Sequence, residues 1–249
     1  MHSYSHSQLS TFRQCPLKFK LKYIDGVESG VESINLFVGN RVHEALELLY
    51  GDLLGGKLNG FDDLVDFYEH RWNAEWHSGV LTVRTGRIDY FDYGVECIRN
   101  YFRENYPFNQ SLTMSIEEWV EFDLDWAGRR RFRGKVDRVS SRPDGTYEIH
   151  DYKTGKIPDE SELRDDRQLT LYQIAVQSMH REVTEVELVW HFLSCGMTYR
   201  LRRTQSDLLQ ILQDTNRFMD RIECEREFAA NVGKLCDWCE FRGVCPAWK

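Results

Sequence analysis

Two aspartates and a lysine in the middle of the sequence could bind a divalent cation. Asp151 follows Asp137 by fourteen residues, and Lys153 comes two residues later. Side chains two residues apart on a β-strand share a face, so Asp151 and Lys153 are expected to point the same way. Arg142-Pro143-Asp144-Gly145 is a typical turn sequence, and a hairpin symmetric about Asp144 would place Asp137 opposite Asp151. A slip of one residue would break this pairing, so the register is a hypothesis.

Two carboxylates so close together repel each other, and a bound cation relieves that repulsion. Carboxylate oxygens suit Mg²⁺ or Mn²⁺, either of which activates water and stabilises charge on a phosphoryl group. Lys153 could orient the water or balance charge in the transition state. This chemistry fits hydrolysis of a phosphodiester. The spacing alone is equally compatible with an Asp151–Lys153 ion pair on a solvated strand, because D-x-K is short and common.

The cysteines indicate a second metal site. Cys236, Cys239 and Cys245 form the pattern C-x2-C-x5-C-P near the end of the sequence. Three thiolates leave a tetrahedral zinc site or a four-iron cluster one ligand short. Cys15, which precedes Pro16, is the candidate for the fourth ligand. The spacing does not separate zinc from [4Fe–4S].

Hydrophobic periodicity predicts helices at the front of the sequence and a mixed α/β region after them. Four helical segments precede three strands, and these are followed by a helix, two strands and a last helix. Pro16 is well placed to open the second part of the first helical segment. The predicted helices are 7–23 in two pieces, 38–54, 61–76, 89–106, 165–179 and 206–223, and the predicted strands are 116–124, 131–139, 147–153, 183–193 and 197–203.

The composition is that of an ordinary globular chain, with 41% hydrophobic and 29% charged residues over 249 positions. An aromatic content of 13% disfavours disorder. No apolar stretch approaches the roughly 20 residues needed to span a bilayer. The first six residues lack the pattern of a signal peptide. We therefore expect a cytoplasmic protein without a membrane partner.

The charge balance bears on nucleic acid as a partner. The net charge is −8, which disfavours a simple electrostatic nucleic-acid binder. A local groove or a bound metal can nevertheless reverse the sign of the potential where it matters. Arg131, Arg133 and Arg138 flank Asp137, and we expect them to contact phosphates, although charge runs are usually solvated surfaces. The sequence contains no G-x-x-x-x-G-K-[ST] motif, so it carries no P-loop motor.

The sequence resembles the RecB/AddB-type branch of the PD-(D/E)XK nuclease superfamily, which includes CRISPR-adaptation nucleases. The motifs occur in the family's order between residues 8 and 246. The sequence departs from the superfamily's name at Val136, where the name has Pro, and at Asp151, where many members have Glu; both departures are usual in this branch. The matching segments are Gln8–Phe19, the G-x-x-x-H helix ending at His43, the G-x-x-D-R strand Gly134–Arg138, the D-Y-K-T-G strand Asp151–Gly155, Gln168 and Tyr172 as Q-x-x-x-Y, and the terminal cysteines.

The resemblance implies a fold and an organisation. The fold would be α/β, a restriction-endonuclease-like core in which a mixed sheet is flanked by helices. The whole of 1–249 would be one nuclease domain, with a helical front at about 7–106, a core at about 115–203, and a C-terminal helix and cysteine cluster at about 205–249. The cluster would be [4Fe–4S] rather than zinc and would act as a clasp that joins the C-terminal tail to the first helix.

The resemblance also implies roles for single residues. Asp137 and Asp151 would be metal ligands with His43 as a further ligand, and Lys153 would be the catalytic lysine. Without the resemblance, His43 would be interpreted as a partly buried helix histidine. The spacing of Gln168 and Tyr172 places them on one helix face, where surface or packing roles are the ordinary interpretation. The resemblance places both near the metal, orienting Lys153 or contacting the DNA backbone.

The family tends to carry a further acidic residue on the strand before Asp137. Glu118 is our choice, because it alternates in phase with Val120 and Phe122. Glu117 and Glu121 are close rivals.

The sequence thus predicts a Mg²⁺- or Mn²⁺-dependent deoxyribonuclease, an exonuclease preferring single strands, in repair, recombination or CRISPR-type processing. Members of the branch occur fused to helicases, alone, or in CRISPR adaptation, so the partner would be DNA, with or without a separate helicase or recombination protein. The alternative is a catalytically silent iron–sulfur module that binds DNA or a partner. Retention of Asp137, Asp151 and Lys153 argues against that alternative.

Overall fold

The computed structural model describes residues 2–82, 87–125 and 128–248. Its central sheet has six strands in the order β1-β5-β6-β7-β8, with β4 along the other edge of β5. In this sheet, β1 and β5 run parallel, as do β6 and β7, and the other three strand pairs are antiparallel. A separate parallel pair is formed by β2 and β3. The strands are β1 His2–Tyr4, β2 Glu32–Ser33, β3 Val80–Leu81, β4 Leu112–Asp123, β5 Arg130–Ser141, β6 Tyr147–Lys153, β7 Val186–Phe192 and β8 Met197–Leu201.

Helices cover the sheet, and their starts follow from local sequence. Ser5 and Gln8 form a capping box at the start of α1, and Pro16 occupies the first turn of α2, whose N-cap is Cys15. A π-helical turn, Lys20–Ile24, continues α2. No helix in the described part of the chain is long and apolar enough to cross a membrane. The helices are α1 His6–Gln14, α2 Pro16–Phe19, α3 Ile34–Leu54, α4 Phe61–Glu75, α5 Arg87–Asn105, α6 Glu160–Arg164, α7 Gln168–Met179 and α8 Gln205–Cys224.

Two hydrophobic cores lie on the two sides of the sheet. The first joins the sheet to α1, α7 and α8, with Phe132 and Leu171 fully buried in it. The second is formed mainly by α3, α4 and α5, with Leu46 and Trp72 at its centre. Tyr152 of β6 packs into the second core. The sheet is therefore flanked by helices, which confirms the predicted mixed α/β class.

The structure differs from the sequence predictions mainly in its short elements. The helix predicted at 165–179 begins at Gln168 as α7, and the separate short helix before it, α6 Glu160–Arg164, was not predicted. The Arg203 guanidinium donates to the backbone carbonyls of Arg164 and Asp166, and these bonds fix the break between the two helices. Strands β1, β2 and β3 were not predicted, because two or three residues are too short for a periodic pattern. The pairing of β1 with β5 also depends on a partner more than 120 residues away.

Candidate active site

The β5–β6 hairpin has the register that the turn sequence predicts. Arg138 pairs with His150, and Ser141 pairs with Tyr147. Continuing this register places Asp137 opposite Asp151. The observed ladder ends at Arg138, and beyond it the Asp137 carboxylate accepts a hydrogen bond of 2.8 Å from the backbone N–H of Tyr152. The Asp137 side chain thus lies between the two strands where their backbone pairing stops.

Helix α3 brings His43 to this point. Nitrogen and oxygen atoms of His43, Glu117 and Asp137 lie within 4.8 Å of one another, the only such group of three or more found among the described residues. The His43 ring donates from Nε2 to the Tyr152 carbonyl at 2.8 Å, because a carbonyl can only accept. Its Nδ1 then faces Oδ1 of Asp137 at 3.6 Å. A backbone bond that fixes one ring nitrogen and leaves the other toward carboxylates is typical of a histidine ligand.

The acidic member of this group is Glu117, and the choice of Glu118 is corrected. Glu118 instead accepts from Ser115 and lies 3.2 Å from Nε2 of His180. Glu118 does alternate in phase with Val120, as the prediction assumed. The residue before it, Glu117, however, has a left-handed backbone φ of 50°. Alternation breaks at that residue: Ile116 packs in the second core and Val120 in the first. The break turns Glu117 toward Asp137.

Lys153 is held by a chain of polar contacts that reaches α7. Its ammonium lies 2.7 Å from Oδ2 of Asp151 and donates to Oε1 of Gln168 at 2.8 Å. The Gln168 amide in turn donates to the Tyr172 hydroxyl at 3.3 Å. A side chain at Gly134 would overlap the Tyr172 ring, so the absence of one lets that ring approach β5. The structure therefore brings Lys153, Gln168 and Tyr172 together beside Asp151.

The electrostatics show a concentration of negative charge. Burial raises the pKa of Asp151 to about 6, and Asp137 adds to this effect while Lys153 opposes it. Burial also raises the pKa of Glu117, although Lys135 opposes the shift. Burial alone would lower the pKa of His43, but Asp137 and Asp151 raise it to about 9. The crowded carboxylates suit Mg²⁺ or Mn²⁺, and the added imidazole nitrogen favours Mn²⁺, since Mg²⁺ prefers oxygen ligands.

The three arginines predicted to contact phosphate lie in different environments. Arg138 is 5% exposed, donates to Tyr152 and Thr113, and has its guanidinium 4.1 Å from the centre of the Tyr50 ring. A phosphate contact is therefore wrong for Arg138, because its side chain points into the second core. Arg131 forms ion pairs with two carboxylates of β4, and Arg133 is exposed. Contacts of these two with phosphate stay predictions.

The four cysteines of the predicted cluster meet around one cavity. Cys15, Cys236, Cys239 and Cys245 line a space of about 140 Å³, and none is in a disulfide. Backbone N–H groups of Lys18 and Asn231 lie 3.4 Å from the Cys15 sulfur. Tetrahedral zinc would hold thiolates roughly 3.8 Å apart. No three of these sulfurs lie within 4.8 Å of one another, so the thiolates do not form a preassembled tetrahedral site.

Sequence reasoning missed the part that Tyr152 plays in the site. Its backbone N–H binds Asp137, and its carbonyl binds His43. Neither contact depends on the tyrosine side chain, so the residue type carries no signal for them. The order of the D-Y-K strand was the available signal, since it places residue 152 between Asp151 and Lys153.

Comparison with known proteins agrees with this geometry. The family model described as the PD-(D/E)XK nuclease superfamily matches residues 3–246. The gene 69 protein of Mycobacterium phage D29 is 26% identical over 194 residues, which is 69% of this chain and 68% of the phage protein. A crystal structure from Eubacterium rectale, named "Putative exonuclease", matches with a TM-score of 0.55 and 16% identity over 94% of this chain and 86% of the other. That structural likeness shows a shared fold. The family match spans nearly the whole sequence and includes every segment that forms the site, so the chain belongs to the PD-(D/E)XK nuclease superfamily.

Proposed function

We propose that this protein is a Mg²⁺- or Mn²⁺-dependent DNA exonuclease of the RecB/AddB type that prefers single strands. The observation that carries the proposal is the group His43, Glu117 and Asp137 with the Asp151–Lys153 pair next to it. The structural relative named as an exonuclease supports the choice of reaction. The protein acts alone or with a separate helicase, recombination or CRISPR-adaptation partner.

Each polar residue has a distinct part in this proposal. His43, Glu117, Asp137 and Asp151 would hold the cation. When bound, a divalent cation polarises the phosphodiester and lowers the pKa of water. Lys153 has three N–H donors, and the contacts to Asp151 and Gln168 use two of them. The third can donate to a nonbridging phosphate oxygen or to the attacking water.

The position of Lys153 is set before substrate binds. Asp151 is 2% exposed, and its carboxylate forms an ion pair that holds the Lys153 ammonium in place. The ammonium donates a further hydrogen bond to Gln168, and the Gln168 amide in turn donates to the Tyr172 hydroxyl, which orients it. An ammonium group that is oriented in advance stabilises developing negative charge in the transition state without having to reorganise during the reaction. Gln168 and Tyr172 are accordingly positioning residues.

A [4Fe–4S] cluster is proposed for the four cysteines. The four cysteines line one cavity, and the resemblance to the RecB/AddB-type branch favours this cluster over zinc. It would join the first helical segment to the C-terminal tail, more than 200 residues away. Closing so long a loop removes entropy from the unfolded chain, so the role would be structural.

The test is cleavage of end-labelled single- and double-stranded DNA by anaerobically purified protein with Mg²⁺, Mn²⁺ or EDTA. We expect metal-dependent cleavage, a ladder that starts from one end, and faster loss of the single strand. Lys153→Ala should slow cleavage at least about 100-fold, and Lys156→Ala, at an exposed lysine three residues later, should retain the wild-type rate. Cleavage that persists in EDTA, or at the wild-type rate in Lys153→Ala, would refute the proposed site. Absence of cleavage by folded, cluster-loaded protein would refute the activity of the isolated chain.

A further inference from the structure

Trp119 is exposed on the sheet close to the candidate active site. It lies in β4, two residues after Glu117, with 55% of its surface open to solvent. Single exposed apolar residues are common. This one is distinguished by the Arg133 guanidinium, which lies 4.3 Å from the centre of its ring.

A continuous line of contacts connects Trp119 to the metal-binding group. Lys135 forms an ion pair with Glu117, and Lys135 is also directly opposite Trp119 in the β4–β5 ladder. Directly opposed residues of an antiparallel pair point to the same face of the sheet. Glu117, Lys135, Trp119 and Arg133 therefore follow one another along one open side of the two strands. A strand rises about 3.3 Å per residue, so Trp119 lies roughly 7 Å along β4 from Glu117.

That distance matches the spacing of nucleotides. Stacked nucleotides are about 3.4 Å apart along one strand, so roughly 7 Å corresponds to one or two nucleotides. A strand whose phosphate is at the metal group would thus bring a neighbouring base to Trp119. Lys135 and Arg133 both lie on β5 beside this path, where their cations can meet the phosphates of the backbone.

We propose that Trp119, supported by Arg133, is a stacking platform for an unpaired base of single-stranded DNA, one or two nucleotides from the phosphate that is cut. This inference rests on the proposed nuclease function and deepens it. A base inside a duplex has both faces covered, whereas an unpaired base can stack on an indole ring. The platform would therefore select single strands at the point where the strand enters the site.

The test uses binding without cleavage. Single-stranded oligonucleotides carrying the fluorescent base 2-aminopurine at successive positions are titrated in EDTA with the full-length protein. We expect quenching at one or two adjacent positions in the wild type and its loss in Trp119→Ala, with affinity roughly 5- to 100-fold weaker. Trp119→Phe keeps an aromatic ring and should stay within about threefold of wild type. Tyr106→Ala, which removes another exposed aromatic ring, should behave like wild type.

The outcomes separate this inference from the proposed function. Equal affinity and quenching in wild type and Trp119→Ala would overturn the platform even if the protein cleaves DNA with Mn²⁺. Absence of oligonucleotide binding by the wild type, or an equal loss in Tyr106→Ala, would also overturn it. Quenching that depends on Trp119 in a protein that never cleaves would support the platform and refute the nuclease.

Discussion

Gly134 and Tyr172 are so close that a Cβ atom on residue 134 would overlap the tyrosine ring. Gly134→Ala should therefore displace the ring or β5 and lower the free energy of unfolding by about 1–3 kcal/mol. Removing the ring in Tyr172→Ala should make room, so the double variant should lose less stability than the sum of the single variants. Denaturant unfolding of the four proteins measures this coupling. At Gly155 an added Cβ meets no atom within 4 Å, so Gly155→Ala should be close to neutral. Additive losses would contradict the steric explanation.

Glu117 and Glu118 are a matched pair for testing the metal site. Glu117→Gln removes a carboxylate next to His43 and Asp137, and we expect Mn²⁺ affinity to fall at least about tenfold. Glu118→Gln should leave the affinity within about twofold, because Glu118 bonds to Ser115 and His180. Calorimetric titration with Mn²⁺ in the absence of DNA measures the Mn²⁺ affinity of both variants. A larger loss in Glu118→Gln would reverse the assignment.

Gln168 is expected to affect the rate through Lys153. Gln168→Ala leaves the ammonium with Asp151 alone, so kcat should fall by roughly 10- to 100-fold with little change in KM. In a Lys153→Ala background the same change should add little, since the two residues act as a unit. Single-turnover cleavage kinetics measure the effect. Ser178→Ala, on the exposed side of the same helix, serves as the control. If Gln168→Ala lowered kcat by the same factor in the Lys153→Ala background as in the wild type, the positioning role would be contradicted.

His191 should make the protein less stable in acid. Burial, with help from His150 and Arg138, holds the pKa of His191 well below its usual value. Below about pH 6.5 the unfolded chain binds a proton at this residue that the folded chain does not, so the free energy of unfolding falls as the pH falls. Glu148 opposes the shift, and Arg200 adds to it.

The measurement is the free energy of unfolding at pH 7.5 and pH 5.5. Between these values the wild type should lose about 1.4 kcal/mol more than His191→Gln. The exposed His70→Gln should follow the wild type. Equal losses in wild type and His191→Gln would show that His191 takes up a proton in the folded state.

The cysteines provide a visible test of the proposed cluster. Cys239→Ala should give colourless, poorly soluble protein, because a four-iron cluster needs all four thiolates that line the cavity. Cys224→Ala, at an exposed cysteine outside that cavity, should stay brown and soluble. Absorbance near 400 nm and iron content distinguish the two variants. Brown, soluble and fully active Cys239→Ala would overturn the proposal.

Much of the site's linear order could be predicted from local sequence. The turn Arg142–Gly145 set the β5–β6 register, and period-two alternation identified both strands. Residues i and i+2 on β6 share a face, which brought Asp151 and Lys153 together. The four-residue spacing of Gln168 and Tyr172 likewise placed them on one helix face, where they form a hydrogen bond. These relationships are short-range, so backbone geometry alone determines them.

The tertiary structure decided which residues complete the site. Glu117 replaces Glu118 because a left-handed φ breaks the alternation of β4, and no periodic pattern encodes such a break. Arg138 is buried because α3 and α5 pack over its side of the sheet and cover it with Tyr50 and Tyr101. His43 reaches the Tyr152 carbonyl across 109 residues only when the second core assembles. The sequence by itself thus determined the chemical groups and their local spacing, whereas long-range packing determined which of them meet, because packing energy depends on contacts between distant segments.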